Sequence, residues 1–366
     1  MREVTGYALL AAGLLLGALV EPRLRAEASA VKLLLHLSLP LPKAGDERDA
    51  PSRTEDLVVG EGSAASHARI YYPDGPVYRC AVVAHGVHYK GIEEPRLVRF
   101  STELARAGML VLTPELRDLA DYRITRSGAD VLSAAVKHLA SRCGREVGLV
   151  GFSFAGGLSL LAAEDPEVNR HLAYVASVGG YHDLSRVLRY LLTDVVEGPT
   201  GKETRPAHEY GLVVLLYGRL QAFAPQEDLD VLSEAYRDWL HEDRARAWAV
   251  ASAVTTKAGE DLFVKLATGH VADYREAIGA VLTREAERKR DLSPAGRLDA
   301  IPVPVLLLHG TGDRVIPREE TLWAAAELGP HRHVALVTPL IEHVEISHPP
   351  KLREALALVD FMARLF

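Results

Sequence analysis

The chain has 366 residues, of which 48% are hydrophobic and 25% are charged, with a formal net charge of −7. This composition is that of a globular protein, large enough for one α/β domain with an insertion or for two domains. The acidic balance and the lack of a long basic run argue against a nucleic-acid partner. The cysteines, Cys80 and Cys143, are too few for a disulfide framework, and no Cys/His spacing predicts a zinc site or other metal site.

The N-terminus contains an uncharged apolar run at residues 7–20. Its 14 residues would span ~21 Å as a helix, less than the ~30 Å hydrocarbon core of a bilayer. That length is typical of a signal peptide, and residues 5–20 could also form a short membrane anchor. We therefore expect export or membrane anchoring, with a cytoplasmic protein whose N-terminal helix packs on the body or a partner as the alternative. Residues 1–54 are assigned to this hydrophobic segment and a polar linker.

Strand and helix patterns alternate from residue 55 to residue 180. Segments with the composition of strands lie at 57–60, 68–72, 78–85 and 109–113, from 147, and at 172–178. The first two predict an antiparallel pair, and the later apolar runs predict strands buried on both faces of a parallel sheet. Helical patterns between them predict right-handed crossovers and a doubly wound, mostly parallel α/β sheet.

The alternation stops for residues 181–298, where the apolar spacing is helical. We predict a helical cap inserted between the sixth and seventh strands of a core formed by residues 55–180 and 299–366. The alternative is a set of helices packed to one side of the core with no role over a site. The core pattern resumes with strands at 301–310 and 333–337 and a last helix from residue 351.

The most informative stretch is Gly151-Phe152-Ser153-Phe154-Ala155, between the strand from 147 and a helical run. A serine at a tight strand-to-helix turn is a nucleophile elbow, which lifts the hydroxyl clear of the backbone. Small residues are needed there, and Gly151, Ala155 and Gly156 supply them, although Ala155 stands where Gly is more usual. We predict that Ser153 is a nucleophile, and the alternative is an ordinary turn serine.

A serine nucleophile needs a histidine base and a carboxylate that orients it. Asp313 follows the strand at 301–310, at the sheet edge where functional groups of parallel sheets lie. The alternative for Asp313 is a turn aspartate that caps the next helix. His343, six residues beyond Val337, is the predicted base, and His348 is the alternative base.

The nucleophile also needs backbone N–H groups directed at the developing oxyanion. We predict that Val87, after the strand at 78–85, and Phe154, after the nucleophile, supply them. His85 and Gly86 support this loop, and His85 is expected to be structural. His88 either lines the pocket or faces solvent.

Taken together, these features resemble an α/β-hydrolase-fold serine hydrolase, esterase-like and with a helical cap insertion. The resemblance rests on His85-Gly86, the elbow around Ser153, Asp313 and a late histidine, which together span residues 55–366. It implies a catalytic triad in the chain order Ser, Asp, His, an acyl-enzyme on Ser153, and no metal or organic cofactor. Besides Ala155, the chain departs from the family in having no Gly immediately before His343.

The resemblance also implies neighbouring third and fifth strands, so that Cys80 and Cys143 could form a disulfide. For function it implies cleavage of a carboxylic ester in a small-molecule acyl substrate, with the cap shaping the pocket. An acyltransferase, a peptidase or amidase with the same triad, and a non-catalytic binding protein of this fold are the alternatives. The sequence predicts no oligomeric state.

Overall fold

The computed structural model describes residues 22–39, 51, 53–208, 210–285, 290–330, 332–342, 345–346 and 351–366, with the backbone alone at 345–346. The apolar run at residues 7–20 and both candidate bases, His343 and His348, lie outside the described residues. The predicted signal peptide or anchor and the choice of base therefore stay predictions. Among the residues described, no helix is both long and apolar enough to cross a membrane.

The elements before the insertion are α1 (Pro22–Leu37), β1 (Thr54–Val59), β2 (Ser66–Tyr71), β3 (Arg79–Ala84), α2 (Pro95–Arg106), β4 (Met109–Pro114), α3 (Arg117–Ala120), α4 (Arg126–Cys143), β5 (Val147–Phe152), α5 (Phe154–Ala163), α6 (Pro166–Asn169) and β6 (Leu172–Val178). The insertion, residues 181–298, contains α7 (Leu184–Thr193), β7 (Val195–Gly198), β8 (Gly201–Thr204), α8 (Tyr210–Tyr217), α9 (Leu229–Leu240), α10 (Arg244–Ala251), α11 (Lys257–Ala267) and α12 (Arg275–Arg284). The elements after it are β9 (Val305–Gly310), α13 (Glu319–Leu328), β10 (His333–Thr338), β11 (Ile341–Glu342), β12 (Glu345–Ile346) and α14 (Leu352–Ala363).

Within the described ranges, the central sheet has eight strands in the order β1-β2-β4-β3-β5-β6-β9-β10. β2 pairs antiparallel with β1 and β4, and every other pairing in this sheet is parallel. The mostly parallel doubly wound sheet and the antiparallel first pair are thus confirmed. β5 lies between β3 and β6, where its continuous apolar sequence suits burial on both faces.

Successive side chains of a strand point to opposite faces, so the sheet separates two apolar cores. Leu149 of β5 packs in the core that contains α4, α5 and the helices of the insertion, which we call the insertion face. Val150 packs in the core that contains α1, α2 and α14, which we call the α1 face. The long insertion and the N-terminal helix therefore pack against opposite faces of the same sheet.

The prediction of a wholly helical pattern across the insertion is wrong at residues 195–204. There β7 and β8 form an antiparallel hairpin in which Val195 pairs with Thr204. Two β-branched valines begin the hairpin, and Gly201, with φ 144°, adopts a backbone conformation that favours glycine. Trp323 of α13 donates its indole N–H to the Glu197 carbonyl at 2.9 Å, which fixes the hairpin to the core.

Cys80 at the start of β3 and Cys143 at the end of α4 form a disulfide, with Cα atoms 6.7 Å apart. That separation lies within the range that a disulfide can span. The predicted disulfide is confirmed, and the bond joins the sheet to a helix of the insertion face.

Candidate active site

Ser153 occupies a strained strand-to-helix turn. Its φ is 54° and its ψ is −131°, and it directly precedes the first residue of α5. A positive φ is costly for a residue with a Cβ and persists only where the surroundings impose it. The Ser153 N–H donates to the Val178 carbonyl at 2.8 Å, and the Ser153 carbonyl accepts from Gly156 N–H at 2.8 Å. Both ends of the turn are therefore fixed, with the Ser153 side chain at the carboxyl edge of the sheet.

The small residues around Ser153 are required by close backbone contacts. A Cβ on Gly151 would lie 2.3 Å from the Ala155 carbonyl oxygen, and one on Gly156 would lie 2.8 Å from the Gly180 Cα. Ala155, fully buried in the insertion-face core, carries its methyl group without disturbing the turn. The departure from the more usual Gly at this position is therefore compatible with the elbow.

The loop after β3 packs directly on the elbow. A Cβ on Gly86 would lie 3.0 Å from the Ser153 Cβ, so this glycine allows the close approach. Phe154 is the first residue of α5, and its N–H therefore has no acceptor within the helix. The Val87 N–H also has no acceptor among the residues described. Both predicted oxyanion donors thus lie in the two segments that meet at Ser153.

His85 has a structural environment. It is 2% exposed, and its Nε2 accepts from the Leu116 N–H at 2.9 Å. The remaining proton on Nδ1 can then be donated to the Gly86 carbonyl, 2.7 Å away. With both ring nitrogens engaged, His85 holds the loop that carries Gly86 and Val87.

Asp313 lies buried after β9, with 1% of its surface exposed. Its Oδ1 accepts from the N–H groups of Val315 at 2.8 Å and Ile316 at 3.0 Å. These bonds close a turn ahead of α13 and do not cap that helix, which begins at Glu319 after Arg318. Its Oδ2 lies 3.4 Å from Nε2 of His309. One strand, β6, separates β9 from β5, which places the two strand ends about 10 Å apart.

The sequence interpretation assigned no role to His309, which is fully buried beneath Asp313. Its Nε2 lies 2.9 Å from the Ile316 carbonyl and its Nδ1 lies 2.8 Å from the Thr321 hydroxyl. The histidine thus joins the Asp313 turn to α13. Its position at the end of an apolar strand, four residues before Asp313, is the signal that could have identified it.

The chain just before His343 lies against the turn that carries Asp313. A Cβ on Gly310 would lie 2.1 Å from the Ile341 carbonyl oxygen, and one on Gly312 would lie 3.3 Å from Oε1 of Glu342. β11 thus ends beside the carboxyl end of β9. No contact of His343 or His348 can be described, because both lie outside the described residues.

A cavity of about 650 Å³ adjoins Ser153. Gly86, Val87 and His88 line it beside Ser153, so His88, whose position the sequence left open, borders the cavity. Burial lowers the pKa of His88. Among the described residues, no group of three or more His, Cys, Asp or Glu side chains is arranged to hold a metal ion.

No family model matches the chain, and no curated protein matches it either. Solved structures similar to the chain include 2,6-dihydroxy-pseudo-oxynicotine hydrolase, with 16% identity, a TM-score of 0.47, and coverage of 85% of this chain and 68% of that chain. Est1E from Butyrivibrio proteoclasticus is 13% identical with a TM-score of 0.46, and the match covers 85% of this chain and 98% of that one. Acylaminoacyl peptidase from Pyrococcus horikoshii is 13% identical with a TM-score of 0.45, over 80% of this chain and 37% of that longer chain.

The fold is assigned from the strand order and connections of the chain itself. An eight-stranded, mostly parallel sheet carries the Ser153 elbow after β5, and the insertion separates β6 from β9. A serine lifted on a strained strand-to-helix turn at the top of such a sheet is the feature that defines a nucleophile elbow. The chain has the α/β-hydrolase fold.

Proposed function

We propose that the protein is a serine hydrolase that cleaves carboxylic esters through an acyl-enzyme on Ser153. The observation that carries the proposal is the strained backbone of Ser153, with φ at 54°. The turn is hydrogen-bonded at both ends, and the Gly86 loop packs against it. Strain of this kind is retained at functional sites, because an ordinary turn serine gains nothing from it.

In the proposed reaction, His343 takes the hydroxyl proton while Ser153 Oγ bonds to the ester carbonyl carbon. The carbonyl oxygen becomes an oxyanion, bound by the N–H groups of Phe154 and Val87. The ester C–O bond then breaks, and the departing alcohol oxygen receives the proton from His343. Water attacks the acyl-enzyme, gives its proton to His343, and releases the carboxylic acid as Ser153 regains its proton. Asp313 orients the imidazole throughout.

His343 is preferred to His348 as the base because of the position of β11. Residues 341 and 342 lie against Gly310 and Gly312, directly before Asp313. His343 is the next residue along the chain, whereas His348 lies five residues further on. Replacing each histidine by alanine separates the two, because only loss of the base should abolish turnover.

The test is labelling with a fluorophosphonate, read by intact mass, together with hydrolysis of p-nitrophenyl esters. Wild type should be labelled once, and Ser153→Ala should lose both labelling and at least ~10³-fold of the turnover. Ser252→Ala is the matched control, because Ser252 is exposed on the insertion and should behave as wild type. Asp313→Asn should lower turnover by ~10³- to 10⁴-fold while keeping an oxygen for the Val315 and Ile316 N–H groups.

Absence of labelling in wild type, or equal labelling of Ser153→Ala, would exclude the proposed nucleophile and favour the non-catalytic alternative. A p-nitroanilide panel separates esterase from amidase or peptidase activity. Ester products formed with an added alcohol would indicate acyl transfer in place of hydrolysis.

A further inference from the structure

The cavity beside Ser153 lies on the α1 face of the sheet. Its floor is formed by residues that follow one another across the sheet: Val150 and Phe152 on β5, Val178 on β6, and Leu308 on β9. Phe152 is held edge-on to Phe100 of α2, with ring centroids 5.0 Å apart. The floor is therefore apolar up to the position of Ser153.

Two helices from opposite ends of the chain form the walls. Leu34 and Leu37 of α1 border the cavity, as do Leu358, Phe361 and Met362 of α14, and the two helices pack against each other. The α14 residues are buried in the α1-face core, and Leu34 and Leu37 are half-buried. The N-terminal helix and α14 therefore contribute adjoining parts of the cavity wall.

The α1 helix is attached to the body by specific contacts. Its own residues Ala30 and Leu33 are buried against the core, and Nδ1 of His36 lies 2.5 Å from Oε2 of Glu103 on α2. Arg99 of α2 donates to the Leu39 carbonyl at 2.6 Å, just beyond the end of the helix. These contacts set the position of Leu34 and Leu37 relative to the sheet.

Glu94 and Arg99 are buried charged residues that line the cavity, and both are engaged with protein atoms. Glu94 accepts from Arg96 Nε at 2.6 Å and from the Leu97 N–H at 2.9 Å, and Arg99 is bonded to the Leu39 carbonyl. Ser38 and Lys90, which are exposed, also line the cavity. The sheet and α14 contribute apolar side chains to the lining.

We propose that this cavity binds the acyl chain of the substrate and that α1 is its specificity-determining wall, so that the substrates are esters of medium- to long-chain fatty acids. The proposal rests on the proposed function, because the chain is placed by its bond to Ser153. A volume of about 650 Å³ lies within the range of sites that hold drug-sized ligands, and an acetyl group would fill only a small part of it. Of the described residues that line the cavity, none belongs to the insertion.

The first test is the dependence of kcat/KM on chain length, from p-nitrophenyl acetate to the decanoate. At ~0.8 kcal/mol per buried methylene, each added methylene should raise kcat/KM up to ~4-fold until the cavity is filled. Leu37→Trp should lower the ratio of kcat/KM for the decanoate to kcat/KM for the acetate at least ~10-fold. Leu34→Ala is the second variant. It removes apolar contacts with the acyl chain without placing a bulkier side chain in the cavity, and it should weaken the preference for long chains.

Leu35→Trp is the matched control. Leu35 lies on the same helix, is 61% exposed and does not border the cavity, so its chain-length profile should be that of wild type. Equal profiles in wild type, Leu37→Trp and Leu34→Ala would overturn the proposal, as would equal effects of Leu35→Trp and Leu37→Trp.

A binding measurement keeps this inference separate from the proposed function. Full-length Ser153→Ala should bind dansylaminoundecanoic acid saturably, and adding Leu37→Trp, but not Leu35→Trp, should weaken binding at least ~10-fold. Saturable binding of the probe, without any ester hydrolysis by wild type, would contradict the proposed hydrolase function but support the acyl site. Ester hydrolysis with no chain-length preference and no probe binding would support the hydrolase function but contradict the acyl site.

Discussion

The insertion at residues 181–298 is much longer than the N-terminal helix α1. Of the two, however, it is α1 that contributes described residues to the cavity beside Ser153. The insertion packs its helices into the core on one face of the sheet, together with α4 and α5. The α1 helix has 16 residues, packs on the other face, and borders the cavity that reaches Ser153. The comparison shows that the element bordering the cavity beside Ser153 is determined by the face it packs against, rather than by its length.

The two faces also differ in how they are filled. On the insertion face, Leu158 of α5 is 1% exposed within a continuous core, and the disulfide adds a covalent link. On the α1 face, the side chains of three helices leave a cavity of about 650 Å³. A close-packed face holds the elbow in its strained geometry, and a face with a cavity can admit a substrate. The predictions below test this contrast in stability.

The largest expected effect is loss of the disulfide on the insertion face. Cys80 and Cys143 are separated by 63 residues, and releasing a loop of that length should lower the free energy of unfolding by about 4 kcal/mol. Urea unfolding with and without reductant measures this difference. Reductant should not change the unfolding free energy of the double variant Cys80→Ala/Cys143→Ala. If reductant also leaves the unfolding free energy of wild type unchanged, the disulfide is contradicted.

A smaller effect should distinguish leucines on the two faces. Leu158→Ala removes a fully packed side chain and should cost about 3 kcal/mol of unfolding free energy. Leu37→Ala removes a half-buried side chain that already borders a cavity, and should cost about 1 kcal/mol or less. Urea unfolding of both variants gives the comparison, and equal losses would show that the α1 face is packed as tightly as the other.

The smallest predicted effect is a pH dependence at the end of the elbow helix. Burial raises the pKa of Glu164 to about 7, although Arg297 lies 3.5 Å away and opposes this shift. Its Oε1 is buried with no hydrogen-bond partner among the described residues. Because the folded pKa exceeds the ordinary value of 4.5, ionisation should reduce stability as the pH rises from about 4.5 to about 7.

Glu164→Gln should therefore stabilise the protein by on the order of 1 kcal/mol at about pH 8 and leave its stability unchanged at about pH 4. Thermal unfolding at the two pH values measures the difference. If Glu164→Gln and wild type are equally stable at both pH values, Glu164 ionises freely in the folded state.

The sequence predicted the core strands and the elbow because their signals are local. Continuous apolar runs mark buried parallel strands, and Gly151, Ser153 and Ala155 mark a tight turn within a single stretch. The same local signals placed Asp313 after the seventh predicted strand. The hairpin at residues 195–204 was missed because its strands are shorter than the helical patterns on either side.

The cavity and its wall could not be predicted, because they depend on contacts between distant segments. Leu34 and Leu37 carry an apolar pattern that a membrane-proximal segment would share, and nothing local shows that α1 meets α14. The role of His309 beneath Asp313 was hidden for the same reason, since its partners lie on the following turn and helix.

The most direct test of the account is to record what an acyl chain touches once it is attached to Ser153. A fluorophosphonate with an alkyl chain ending in a diazirine would label Ser153 and, on illumination, mark the residues around its far end. We predict cross-links in residues 22–39 and 351–366, all absent from Ser153→Ala. Cross-links confined to the insertion at residues 181–298 would contradict the assignment of the acyl site to the α1 face.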